Sequence, residues 1–357
     1  MIILNLYILK RFLLGFLISL LVLVSIEIFF SFSSEMKYLN EGNYDFSIIL
    51  KYIFLSIPRS IETMFPYSIL IGALLSLGAM AADMEFVAMQ SAAISVRKIL
   101  TIVLLQTFFI STFFYFIVDS VVPKFSSEAE LLRNTALKKQ SYYNKNGTWF
   151  KNKESFIKIS EIYPDNTIKG ISVYTYNNNQ LSSVNYIQSA TFIKGKWSLQ
   201  EVIKINLNEE PISKERISNI QSDELIDIKL IDIKTDKPYS LTLKDVIRNI
   251  EYLERNNLDA SIQEKIFWDK ILKPIATVLM LFLAMPYIFG RMRSTNTSKR
   301  IVIGLFIGII FFIISSILPN LGLIIGIHPL ISAILPLVVF AILGQYIFRH
   351  QLESGLR

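Results

Sequence analysis

Few side chains in this sequence have the type and setting to do chemistry, and the most unusual is an acid. Glu85 sits in "DMEFVAMQSAAIS" (83–95), wedged between two segments greasy enough to cross a bilayer. A helix through the stretch puts Glu85 and Met89 one turn apart, with Phe86, Val87 and Met89 as apolar contacts and Ser95 at the cap of the next span. Two readings follow from these residues. Either Glu85 faces water on a short interfacial helix, or the helix docks, its acid entering a groove on a soluble ATPase.

Catalytic groups are missing. His328 and His350 are the only histidines and lie far apart, and neither H-E-x-x-H nor G-x-S-x-G occurs. With no cysteine there is no disulfide, thiolate metal site or Cys nucleophile, and no metal centre is expected. Gly195-Lys196 is followed by Trp197 inside a strand pattern, so no phosphate-cradling loop is present and the chain is not expected to hydrolyse ATP. Work against a gradient would draw on a partner or an ion. Ion coupling normally leaves ionisable residues in mid-span, whereas Glu27, Glu62 and Asp119 fall near span ends. A partner is the better source.

The elements that position Glu85 follow from composition. The 357 residues are 52% hydrophobic and 18% charged with a net charge of +7, too apolar for a soluble enzyme. Apolar runs near 12–30, 61–82, 99–118, 270–289, 301–318 and 330–348 each match the ~20 residues that span hydrocarbon as a helix. The first reads as a retained span, because "SFSSEM" offers no small-x-small cleavage site. Lys10, Arg11, Arg97, Lys98, Arg291, Arg293, Lys299, Arg300 and Arg349 all fall on one side of a six-span layout, which makes that side, with both termini, cytoplasmic. The basic excess therefore reports topology. With no basic helix or aromatic–basic repeat, nucleic acid is not an expected partner.

The expected organisation is an α-helical membrane protein of six transmembrane helices with an inserted all-β domain on the outer side, the periplasm of a two-membrane bacterium. Residues 1–120 carry spans one to three and the 83–95 helix, 121–241 the β-domain, 242–265 an amphipathic connecting helix, and 266–357 spans four to six. In "WSLQEVIKINL", Trp197, Leu199, Ile203, Ile205 and Leu207 share one parity, with Glu201 the only charge among them. "IKGISVYTYNNNQLSSVNYI" reads as a hairpin around Asn177–Asn179. Ile226, Ile228 and Leu230 alternate, then change phase at Ile231 and Ile233 as at a bulge. Such strands suit a sandwich or open barrel, either fully packed or left open as a slot for acyl chains. Thr242 with Asp245 forms a capping box ahead of Leu243, Val246, Ile247, Ile250 and Leu253 on one helical face.

Small residues mark close helix approaches. Gly304 and Gly308 give a G-x-x-x-G in the fifth span and a candidate subunit interface, and Gly72, Ser76 and Ala79 form a ridge on the second. Pro274, Pro286 and Pro336 are candidate bends.

The order of segments resembles the LptF/LptG permease family, the membrane subunits of the lipopolysaccharide exporter, over essentially the whole chain. The stretches that carry it are "LNEGNYDF", "IPRSIETMFPYSILIGALLSLGAMAADMEFVAMQSAAIS", "GISVYTYN" and "WDKILKPIATVLMLFLAMPYIFG". Gly42-Asn43-Tyr44 and "FPYSILIGALLSLG" look more like the G-type than the F-type subunit. The resemblance implies an LptF-like second permease, a cytoplasmic LptB-like ATPase dimer that binds the ATP and Mg, and a periplasmic β-jellyroll handing lipopolysaccharide to an LptA/LptC-like bridge. No cofactor is implied on this chain itself. Carried over by position, Glu85 matches the family's acidic coupling-helix residue, flanked here by Phe86 and Met89, and Lys37 and Arg133 match basic positions suited to lipid A phosphates or inner-core acids. Gly304 and Gly308 match a lateral gate formed with the partner's first span. Ala93 stands where the family usually has Gly, and Ser31 where related G-type chains can carry Lys. The alternatives are another exporter-type permease, such as a lipoprotein-releasing one, without need of Lys37 and Arg133, or an anchor presenting the β-domain, indifferent to Glu85.

Overall fold

The computed structural model describes residues 2–137, 147–163, 167–177, 180–193, 195–208, 213–222, 225–226, 240–289 and 297–355. Six of its helices are long and apolar enough to cross a membrane. They are α1 (Ile2–Glu35), α2 (Phe46–Ala82), α4 (Val96–Ala136), α6 (Ser261–Phe289), α7 (Thr297–Ile324) and α8 (Pro329–Gly355). The short α3 (Glu85–Ser91) joins α2 to α4 at one end of the bundle, and six strands with α5 (Leu243–Arg255) follow α4 at the other.

Three helices outrun their apolar segments. α1, α2 and α4 have 34, 37 and 41 residues, or about 50–60 Å at 1.5 Å per residue, against ~30 Å of hydrocarbon. The run expected at 61–82 is the second half of α2, which starts after Asp45, whose side chain accepts from the Ile48 N–H at 2.8 Å. α4 continues beyond residue 120, where the β-domain was expected to begin, to Ala136. Its last turns bury Val122, Ser126, Ala129 and Ala136 while Lys124 and Phe125 stay exposed. A one-sided helix averages to polar, so hydropathy alone does not extend the span.

The membrane core is built on a backbone crossing. A Cβ added to Gly72 would lie 2.5 Å from the Phe16 Cα, and one added to Gly15 2.5 Å from the Gly72 carbonyl oxygen, so α1 and α2 touch where neither has a side chain. Phe12, Phe16, Phe65, Leu74 and Met285 belong to the same buried core. Two lysines of α6 tie it to its neighbours: Lys273 pairs with Glu62 of α2, and Lys270 with Asp119 of α4 at 2.7 Å. Asp119 also accepts from the Leu243 N–H at 2.9 Å, placing an acid against the first turn of α5. Of the three acids that looked like span-end residues, Glu62 and Asp119 are thus interhelical ties.

The strands β1 (Thr148–Asn152), β2 (Ser155–Ile162), β3 (Thr167–Asn177), β4 (Gln180–Ile193), β5 (Lys196–Asn206) and β6 (Ser213–Ser222) form one antiparallel sheet in sequential order. Among the described residues this is an up-and-down meander, without the crossing connections of a jellyroll. Its buried face shifts phase in mid-strand. Ile162, Ile168, Ala190 and Leu199 are buried in one cross-strand row, then Ile159, Ile171, Ile187 and Val202 in another. Between them the paired registers skip Ser160, Gly170, Gln188, Glu201 and Ser218, and Gly170 and Glu201 take positive φ of 62° and 52°. The result is a crease across five strands. The single-parity reading of 197–207 therefore fails at Glu201: Val202 is buried at 3% exposure, while Ile203 turns to the opposite side. The bulge expected at Ile231 and Ile233 lies outside the described residues.

α5 closes the packed face with Val246 and Ile250. Its capping box forms between Thr242 and Asp245, while Ile247 remains 40% exposed. The Tyr252 hydroxyl accepts from the Lys151 N–H at 3.0 Å and donates to its carbonyl at 2.9 Å. That pairs off part of the open β1 edge.

Candidate coupling and lipid-contact sites

The seven residues of α3 lie between two left-handed backbone positions, Met84 (φ 59°) and Ala93 (φ 61°). So short a helix does not hold by itself. Phe86 anchors it: at 4% exposure it is part of the bundle core, with Met89 packed alongside. This corrects the expectation that Phe86 offers an outward apolar contact, since the apolar demand of a large ring is met inside its own chain. Val87, 41% exposed, faces out instead.

Glu85 is held from α1. The Tyr7 hydroxyl lies 3.0 and 2.9 Å from its two carboxylate oxygens, Arg11 Nε donates to the Tyr7 oxygen at 3.1 Å, and Arg11 Nη2 is 3.7 Å from Glu85 Oε1. The Arg11 guanidinium also sits 5.5 Å from the Tyr7 ring centre. With the Glu85 side chain 22% exposed, one edge of the acid stays reachable from solvent. A groove of about 330 Å3 runs between α1 and α2 beside this cluster, lined by Arg11, Gly15, Leu75, Ser76, Asp83 and Glu85 among others.

At the opposite end Arg133 is committed. Its Nε donates to Glu35 Oε2 at 2.8 Å, and Tyr44 donates its hydroxyl to the same oxygen at 2.9 Å. The guanidinium stacks 4.8 Å from the Tyr38 ring centre and 5.9 Å from that of Tyr52. The Arg133 and Glu35 side chains are 14% and 9% exposed. Burial, and next the carboxylate it donates to, push the Tyr44 phenol above its ordinary value. In this conformation Arg133 is a structural cation rather than a free phosphate ligand, because a buried acid already takes its charge. Lys37, on the 3-10 turn Met36–Tyr38 next to this cluster, is exposed.

Gly308 also differs from its expected place. A Cβ there would lie 3.0 Å from Met280 Cε and 3.4 Å from Leu70 and Tyr67, so the glycine packs α7 on α6 and α2 of the same chain. The space a side chain would take there is filled from within this chain. Gly304 lies one turn earlier on α7.

The sheet has a second, unpacked face beyond the crease. Trp149 and Tyr174 stack at 5.8 Å, Phe156 and Tyr176 meet edge to face at 5.7 Å, and Lys158 lies 5.7 Å over Trp149. Tyr186 and Ile203 follow in the same cross-strand row as Trp149 and Lys158, ending at Arg216. Trp149, Phe156, Tyr176 and Tyr186 are 37–45% exposed. Aromatic, aliphatic and basic groups share this face, and the row from Trp149 to Arg216 holds no acid, a combination that suits an amphiphilic anion.

The family model for the lipopolysaccharide export system permease LptF/LptG matches residues 6–350. The chain belongs to the LptF/LptG family. It is thus a permease subunit of lipopolysaccharide export, in a multi-pass inner-membrane fold. Two relatives are named lipopolysaccharide export system permease protein LptG. The one from Haemophilus influenzae is 29% identical over 330 residues, covering 91% of this chain and 92% of the relative. The one from Escherichia coli K12 is 29% identical over 362 aligned residues, covering 98% of each. At Ala93 the α3–α4 turn takes a left-handed conformation, which glycine adopts without strain. Sequence reasoning took Arg11 as a topology signal and passed over Tyr7, although the two lie one helical turn apart as a tyrosine–arginine pair. It also missed Glu35, the acid beside Lys37 that claims Arg133.

Proposed function

We propose that this LptF/LptG-family chain takes lipopolysaccharide sideways from the outer leaflet of the inner membrane into a cavity shared with an LptF-like second permease. The end carrying α3 and both termini is cytoplasmic, in keeping with Lys10, Arg11, Arg97, Lys98 and Arg349 in its short flanks. The sheet is then periplasmic. An LptB-like ATPase dimer, which holds the ATP and Mg, docks on α3 with Glu85 in its groove, and this chain performs no chemistry of its own. Lys37 offers a charge to the lipid's phosphates at the rim.

The observation that carries this reading is the unpacked sheet face. An acyl chain leaving the bilayer loses ~25 cal/mol for each Å2 of apolar surface exposed to water, so extraction needs a greasy surface ready to receive it. Trp149, Phe156, Tyr186 and Ile203 supply one, and Lys158 and Arg216 supply charge for phosphates. From there the lipid passes to an LptA/LptC-like bridge. A photo-crosslinking residue tests the route in the assembled exporter. At Tyr186 or Phe156 it should capture lipopolysaccharide only while ATP is hydrolysed, and at Ile159, 0% exposed on the packed face, it should capture none. Equal capture at both faces, or none at Tyr186, would contradict the route.

A further inference from the structure

Tyr7 and Arg11 surround the one acid assigned to coupling, and their geometry says more than that Glu85 is accessible. We infer that Tyr7, polarised by Arg11, is a positioning residue that ties the Glu85 carboxylate to α1, so that movement of α3 is delivered directly to that helix. The inference rests on the reading that α3 meets the ATPase.

Three observations carry it. Tyr7 and Arg11 lie at i and i+4 on α1 and share one chain of hydrogen bonds, Arg11 Nε to the Tyr7 oxygen at 3.1 Å and the Tyr7 hydroxyl to Glu85 at 2.9 and 3.0 Å. Donation from a guanidinium strengthens the phenol as a donor, and a charged acceptor strengthens the bond again. Second, α3 is a short rod between two left-handed joints, Met84 and Ala93, and Met84 supplies no side-chain cap to its first turn. Its position is set by what it grips: Phe86 grips the bundle core and Glu85 grips α1. Third, α1 keeps a long apolar surface that no other part of this chain covers. Leu14, Leu17, Leu21, Phe29 and Phe30 are 51–69% exposed along its length. Its closest backbone contact is that of Gly15 with Gly72, two turns above Tyr7. A push on α3 thus reaches α1 on the short side of that contact, while Leu17, Leu21, Phe29 and Phe30 lie on the long side.

The experiment uses the complete exporter in proteoliposomes and reads lipopolysaccharide released per ATP hydrolysed, together with recovery of the ATPase on the purified complex. Tyr7→Phe keeps the ring and removes the bond; it should lower the ratio several-fold with the ATPase still bound. Arg11→Gln should lower it in the same direction and to a lesser degree, and serves as the readout if Tyr7→Phe does not accumulate. Added to Glu85→Gln, Tyr7→Phe should cause little further loss, as for residues acting through one bond. An unchanged ratio overturns the inference. So does loss of the ATPase in Tyr7→Phe, which would make Tyr7 a docking residue. Glu85→Lys separates the two levels: if that variant retains both ATPase and ratio, the docking role of α3 itself is wrong.

Discussion

Replacing Arg133 with alanine leaves Glu35, its side chain 9% exposed, with the Tyr44 hydroxyl as a donor but without the guanidinium that balances its charge. Breaking a buried pair from one side costs about 3–5 kcal/mol, whereas removing both charges costs far less. Arg133→Ala should therefore lower the thermal midpoint of the detergent-solubilised complex, and Glu35→Gln combined with Arg133→Gln should recover most of it. A stable Arg133→Ala protein that has lost only lipid binding would restore the ligand role the family position suggests. At Ala93 the expected sign is opposite. A left-handed φ of 61° costs an L-residue about 1 kcal/mol or more, so Ala93→Gly should raise the midpoint slightly, and a drop would argue against the turn as described. Both sites were partly legible from residue types. What was not legible is pairing: sequence marks Arg133 as a cation near an anionic lipid, and only the fold brings Glu35 to 2.8 Å from it.

The α1–α2 crossing shows how one small residue differs from another once its neighbour is known. A side chain at Gly72 meets the Phe16 backbone at 2.5 Å, which cannot move aside, whereas one at Gly308 meets the flexible end of Met280 at 3.0 Å. Gly72→Val should abolish recovery of monodisperse complex by size-exclusion chromatography, and Gly308→Ala should leave both recovery and pairing with the second permease intact. Failure of pairing in Gly308→Ala would return that glycine to a subunit interface. The small-residue ridge on α2 was readable from spacing, but its partner Gly15 was not, because one glycine in an apolar run carries no period. The helices resisted reading for a related reason. Uniformly apolar stretches announce themselves, while the ends of α2 and α4 are one-sided and leave the bilayer as helices. The strands failed at the crease, where Glu201 takes a backbone conformation that alternation does not encode.

At the scale of the molecule, two ends with different chemistry are joined by helices that run the whole distance. α1 begins at the Tyr7–Glu85 bond and ends at Glu35, bonded to Arg133, and α4 runs from the α3 turn to Arg133 itself. The same two helices thus connect the candidate docking acid to the rim below the sheet. Six apolar runs around a polar insert were enough to read the span plan, and stretches such as "LNEGNYDF" and "WDKILKPIATVLMLFLAMPYIFG" carried the LptF/LptG resemblance. The unpacked sheet face was beyond it, since alternating strands look alike whether their second side meets water, lipid or protein. The most direct measurement is native mass spectrometry of the complex purified through this chain in mild detergent, with bound lipid identified. An exporter subunit should carry two ATPase copies, one related permease and lipopolysaccharide. Recovery of the chain alone or as a homodimer, with neither ATPase nor glycolipid, would contradict the export mechanism proposed for it.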